Sequence, residues 1–318
     1  MPNFADASET VLSFVPEVTW GTTPPAAPAF QVLRFVSDNL VGNRTTQQSN
    51  EITPSADVSD LIRLGEGGGG DIAFELSYDP NLQSLMEAAL RKTWGAAPAA
   101  GVAQPMAAGT EKKSFTFQKK YVGAADIFFR FPGARIGNMA LTIQARQPIT
   151  GSFTTLAKGY ESDDAELAGA TYVQPGGNPV MSAPEVATIT VGSISAPLYF
   201  TDLSFTLNNN LREQPYVGDV FNAGIGYGQR QITGSLVGYL EDLGLYDLFQ
   251  ANTFFALSYE IEDGLLNKYK FEFPRCKMPQ GQVPTPGNNQ DVMFNGGFQA
   301  LRDPTAGTSF IITRTPHA

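Results

Sequence analysis

Two short stretches of this 318-residue chain say almost the same thing: "FPGARIGNM" at 131–139 and "FPRCKM" at 273–278, 142 residues apart. A chain that repeats itself must be built from two copies of one unit, which excludes most single-domain folds of this length. Other segments repeat in the same order. "LRFVS" at 33–37 is answered by "LSFTL" at 203–207, "GGDIAFELSY" by "RQITGSLVGY", and "ITGSFTTL" at 149–156 by "FNGGFQAL" at 294–301. The offset falls from 170 (Leu33 and Leu203) to 160 (Ile72 and Ile232) to 142 (Phe131 and Phe273). Each drop coincides with an extra loop in the first half. Ordered matches with insertions confined to loops point to duplication, because chance matches need not keep order.

The unit being copied reads as β. Ile72, Phe74, Leu76 and Tyr78 alternate with Asp71, Ala73, Glu75 and Ser77, as a half-buried strand requires. Frequent glycine (32) and proline (22) punctuate similar runs throughout. Two amphipathic helical stripes interrupt the strands: Leu82, Leu85, Met86, Ala89 and Leu90 after Asp79-Pro80, and Leu245, Leu248 and Phe249. The expected fold is mainly β: two duplicated β-sandwich or barrel domains, each with one flanking α-helix. Residues 1–28, rich in Pro, Thr and Ala at 15–30, read as an extended arm. The first domain is expected over 29–175, with long loops near 40–66 and 93–113, and the second over 176–318. Pro279, Pro284 and Pro286 put strand pairing after "FPRCKM" in doubt.

Composition excludes several functions. A net charge of -10 disfavours a surface that grips phosphates. The lone cysteine, Cys276, permits no intrachain disulfide. The sequence from Met1 to Phe14 carries Asp6 and Glu9 where a signal peptide carries Lys or Arg. No apolar run reaches membrane-span length, so neither export nor membrane insertion by this chain is expected. "GIGYGQ" at 224–229 precedes a strand rather than the helix a dinucleotide site needs, and "GEGGGG" at 65–70 lacks the Lys and Ser/Thr of a phosphate loop. His317, the single histidine, sits beside the end of the chain. No catalytic, cofactor or metal residues are expected.

At "LNNNLREQP", "RQITGSLVGYLEDLGLYDLF", "FPRCKM" and "NQDVMFNGGFQAL", joined by "GGDIAFELSYDPNLQSLMEAAL", the sequence resembles the major tail tube proteins of long, flexible-tailed bacteriophages, in a family with two tail-tube domains. The resemblance implies a virion protein, made in the host cytoplasm, whose rings stack into a hollow tube through which the genome passes. It implies homotrimeric, pseudo-hexameric rings as partners of one another, contacts with tail tip, tape measure and terminator proteins, and transient, non-specific passage of double-stranded DNA. On that reading the faces opposite the core strands would line the bore: Asp71, Glu75 and Ser77; Thr150, Ser152 and Thr154; Gln231, Thr233 and Ser235. The alternative from another class is a β-sandwich adhesin or carbohydrate-binding module.

Overall fold

The computed structural model describes residues 4–317 apart from 56, 124, 193 and 195–197. Strands take up 48% of the chain and helices 8%. The first half runs β1 (Val11–Pro16), β2 (Ala29–Val32), β3 (Ser37–Asp38), β4 (Val41–Gln48), β5 (Leu61–Glu75), α1 (Pro80–Leu90), β6 (Gln104–Ala107), β7 (Phe115–Tyr121), β8 (Ile127–Gln144), β9 (Thr150–Ala157), β10 (Glu161–Asp163) and β11 (Thr171–Val173). The second runs β12 (Val186–Val191), β13 (Phe200–Asn208), β14 (Arg212–Gln214), β15 (Gly224–Gly226), β16 (Gln231–Tyr239), α2 (Gly244–Ala251), β17 (Phe255–Glu262), β18 (Lys268–Gln282), β19 (Met293–Ala300) and β20 (Ile311–Thr315).

The antiparallel ladders have the same order in both halves. In the first, β1 pairs with β7, β7 with β8, β8 with β9, β9 with β5, and β5 with β3 and β4. In the second, β12 pairs with β17, β17 with β18, β18 with β19, β19 with β16, and β16 with β13. A short 3-10 turn precedes each series, at Ala7–Glu9 and Ala183–Glu185. The ladders also shift the correspondence between the halves. Phe153 faces Ile72 and Phe298 faces Gly234, so Ile72 corresponds to Gly234, not Ile232. Ser37 faces Ala73 and Ser204 faces Ser235, so Ser37 corresponds to Ser204 and the Leu33–Leu203 match is out of step.

The repeated Phe-Pro marks the place where one long strand leaves one sheet for another. Phe117 pairs with Phe131 and Phe115 with Ala134, so Pro132 and Gly133 together oppose Thr116, two residues against one. Leu257 pairs with Phe273 and Phe255 with Cys276, with the same surplus. Pro132 and Pro274 lie in these bulges, where a missing N–H costs the ladder nothing. Before the bulge each strand pairs outward, β8 with β7 and β10, β18 with β17 and β20; after it, each pairs with β9 or β19. Phe131, Phe273 and Cys276 are buried at the crossing. Pro279 occupies a further bulge between Lys277 and Gln280, so pairing continues to Gln282 despite the doubt raised by the prolines.

Three other expectations fail. Residues 11–16 are no arm: Leu12 and Phe14 are fully buried, and the strand is held by β2 and β7 on its two sides. A run of apolar residues too short for a periodic signal concealed it. Residues 40–66 are mostly a ribbon of β4 and β5, paired from Val41–Gly69 to Gln48–Leu61, with a connection over 49–60 at its tip. The polar side chains that suggest a loop are compatible with a ribbon exposed on both faces. The segment 93–113 contains β6, which pairs with β20, and buries Trp94 and Met106.

The halves share one sheet. β13 pairs with the end of β8, from Asp202–Gln144 to Asn208–Asn138, so the first strand of the second inner sheet extends the last of the first. The helix α1 lies at this joint. Asp79 caps its N-terminus by accepting from the Asn81 N–H at 3.0 Å, and Arg91 ends it in the left-handed conformation. Its last carbonyls accept from the second half: Ala89 O from Asn209 Nδ2 (2.9 Å) and Leu90 O from Arg230 Nη2 (3.1 Å). Apart from Pro80, every residue of α1 is buried or half-buried, whereas α2 buries only Leu245.

Candidate functional site: a polar sheet face

Joining the two inner sheets through β8 and β13 gives one eight-stranded layer in the order β3/β4, β5, β9, β8, β13, β16, β19, β18. One side of it packs on the core through Phe74, Phe153, Leu141, Phe205, Leu236 and Phe298, all buried. Because side chains alternate with a period of two, the register places every residue between these on the other side.

That other side is almost all small and polar. Across the first half Asp71 faces Thr154 and Asn138, Ala73 faces Ser152 and Ala140, and Glu75 faces Thr150 and Thr142 in successive ladders. The row continues without a break into the second half: Thr142 opposes Ser204, Ser204 opposes Ser235, and Ser235 opposes Gly297, while Ala140 leads to Thr206, Thr233 and Gln299. Short hydroxyl and amide side chains bond across strands, as in Ser204–Ser235 at 2.7 Å. Asp71 accepts from Thr154 Oγ1 at 2.5 Å, and Asp202 from Gln144 Nε2 at 3.1 Å. Asp71, Glu75 and Asp202 bring negative charge to this side, while Lys277 lies on the outermost strand, stacked with Arg275 on the Phe254 ring at 4.7 and 3.7 Å.

Eight of the nine residues read from alternation, namely Asp71, Glu75, Thr150, Ser152, Thr154, Gln231, Thr233 and Ser235, fall on this single side. Ser77 does not. The chain leaves the ladder after Glu75, Leu76 N–H donates to Ile149 O, and Ser77 is 2% exposed beside Val180. The strand breaks there, so its alternation no longer reports a face. Asn138, Thr142, Ser204, Thr206 and Gln299 escaped the reading, although each alternates with buried apolar residues just as plainly; what the sequence lacks is the β8–β13 pairing that brings them alongside.

Burial pushes the Cys276 thiol up to about 12, away from nucleophilic use. His317 donates its backbone N–H to Asn267. Among the described residues no three His, Cys, Asp or Glu side chains gather as a metal site, and no helix is long and apolar enough to cross a membrane.

Two halves with the same strand order and one continuous polar sheet side define a mainly β protein. More specifically, a family model described as phage tail tube protein matches residues 7–300, and the chain belongs to that family. It is thus a structural component of the virion, of a family that assembles into a tube. A search of curated proteins returns no match.

Proposed function

We propose that three copies of this chain close into a pseudo-hexameric ring, that rings stack into the tail tube, and that the polar side of the eight-stranded layer faces the bore through which the genome is delivered. The observation that carries the reading is the unbroken polar row running from Glu75 to Gly297 across two halves with the same strand order. Eight strands from each of three chains make a 24-stranded barrel. At about 4.8 Å between strands and about 40° of tilt its backbone is on the order of 50 Å across; six chains would give about twice that. The duplication makes each half stand for one sixth of the ring.

Such a wall suits passage. Every cation on it would neutralise a phosphate and strengthen binding, whereas hydroxyls, amides and scattered carboxylates leave the duplex sliding on its own water and counterions. Stacking would use the β4–β5 ribbon, whose apolar Leu61, Ile62 and Leu64 are exposed in the single chain and whose tip lies at 49–60. Strand β1, paired on both sides into the body, is no candidate for that role. Synthesis in the host cytoplasm and contacts with tail tip, tape measure and terminator proteins belong to the same proposal. Electron microscopy of the concentrated protein is expected to show hollow tubes, and mass measurement of an isolated ring three chains. Monomers at every concentration would overturn the tube; a ring of six would overturn the trimer.

A further inference from the structure

The strands of the eight-stranded layer all end at the same two rims. Glu75, Thr150, Gln144, Asp202, Tyr239 and Gln282 stand at one, and Gly68, Ala157, Arg135, Asn208, Gln231 and Cys276 at the other. The two rims carry opposite charge. At the first, Glu75 and Asp202 lie at strand ends, and the connections over 145–149, 240–243 and 283–292 add Glu241, Asp242 and Asp291 against one base, Arg146. At the second, the segments 158–160, 209–230 and 301–303 bring Lys158, Arg212 and Arg302, and the crossing in β18 brings Arg275 and Lys277. The acids there are Glu213, Asp219 and Asp303, of which Asp219 accepts from Tyr216 Oη at 3.1 Å and Asp303 from the Thr305 N–H at 2.9 Å. A surplus of bases in one place runs against a composition of 21 Lys and Arg to 31 Asp and Glu. The ion pairs among the described residues involve none of these side chains at either rim. Both sets of charge are therefore left for something outside the chain.

We propose that the basic rim of one ring seats on the acidic rim of the next, so that charge asymmetry built into each chain drives stacking and fixes the direction of the tube. The proposal rests on the tube reading above and supplies the chemistry of the contact between rings. The occupant of either rim is the opposite rim of a second copy. Like rims brought face to face would set unpaired charges of one sign against each other, whereas basic on acidic pairs both sets at once. A single exposed ion pair is weak, but a ring repeats each pair in every copy. The field of a free rim also orients an approaching ring before contact, over a range that salt sets. The β4–β5 ribbon leaves from the basic rim without changing its sign, because Arg44 and Arg63 are both paired with Glu66. The carboxylates of its tip, Glu51, Asp57 and Asp60, begin about 20 Å beyond Gly67 at ~3.3 Å per residue, past the contact between the rims.

The test uses three full-length variants at exposed positions: Glu241→Lys with Asp291→Lys, Arg212→Glu with Arg302→Glu, and all four changes in one chain. Each is expected to keep the native circular dichroism spectrum and to form rings. The first makes both rims basic and the second makes both acidic, so each should raise the concentration at which tubes appear by about tenfold or more. The fourfold variant carries its rims exchanged and the original net charge of -10, and it should grow tubes like the unaltered chain. Raising salt from about 0.1 M to about 1 M, which shortens the screening length from about 10 Å to about 3 Å, should hinder tube growth of both. Twofold variants that stack like the unaltered chain, or a natively folded fourfold variant that fails to recover, would overturn the pairing of rims. Loss of rings in either twofold variant would place these charges inside a ring, and normal tubes with slowed genome ejection in the Arg212/Arg302 variant would give the basic rim to DNA phosphates; both outcomes also overturn it. All of these leave the tube function standing. An unaltered chain that never assembles would instead overturn the tube reading, and this contact with it.

Discussion

Glu75 and Cys276 sit on opposite sides of the same layer, and their environments dictate opposite behaviour. Glu75 is exposed at the end of β5, facing Thr150, so Glu75→Lys should change stability by no more than about 0.5 kcal/mol. In the proposed ring it places a cation on the wall three times over, since Val237 stands at the corresponding position of the second half. Genome ejection from otherwise normal particles should then be slower, and the delay should shrink as salt rises; ejection at the normal rate would remove Glu75 from the bore. Cys276 is buried where β18 changes sheets, and burial raises its thiol from an ordinary 9.0 to about 12. A folded-state pKa that is raised in this way stabilises the fold fully below the unfolded value and loses that contribution as pH climbs from about 9 towards 12. Alkylation at pH 8 should accordingly be slow until denaturant is added. Rapid labelling of the native protein would show that the crossing is not packed.

At the scale of elements, the strand crossings and the ribbon make separate demands. Gly133, next to Pro132 in the first crossing, has φ +72°, and a Cβ there would lie 2.7 Å from the Lys158 Cβ. Gly133→Ala should cost about 1–2 kcal/mol, read as a lowered denaturation midpoint at unchanged slope. The Glu17 carboxylate fixes the same bend by accepting from Gly133 N–H at 2.6 Å and Thr116 Oγ1 at 2.9 Å, which ties the segment after β1 to the crossing. Removing residues 2–25 would strip Leu12 and Phe14 from the core, so that deletion should abolish folding rather than merely assembly. Shortening the 49–60 connection is the cleaner probe of stacking. It leaves every core strand intact, and rings that no longer grow into tubes are the expected product; tubes of normal length would acquit the ribbon.

For the whole molecule, the joint between halves has the anatomy of an interior. Arg230 reaches from the second half to Leu90 O and, at 2.6 Å, to Gly109 O, and burial pulls its guanidinium down to about 10, still charged near neutrality. Truncating it strands carbonyls at the end of α1, so Arg230→Ala should destabilise the full chain by about 1–3 kcal/mol. The β6–β20 ladder and the Arg314–Gln83 bond at 2.6 Å add further ties. Either half expressed alone would expose the edge of β8 or β13, and the first would bare α1 as well. Aggregation or dimerisation of the separate halves is expected, and a monodisperse, folded first half would contradict it.

What the sequence determined by itself was local and periodic. Alternation in 71–75, 150–154 and 231–235 sorted core from polar face correctly, because a strand's period of two is fixed by its backbone, whatever it pairs with. The Asp79-Pro80 start of α1 was equally legible from its own chemistry. The two-residue misalignment of Ile72 with Ile232 did no harm to the face, since an even slip preserves parity; an odd slip such as the one at Leu33 does not. Tertiary structure decided the rest. Strand β1 is too short and too continuously apolar to announce itself, and its place is set by β7, about a hundred residues away in sequence. Ser77 lost its face because the ladder stops at Glu75. The covering of α1 and the fusion of two polar faces into one depend on β8 meeting β13, a pairing of edges that leaves no mark on either strand's own pattern.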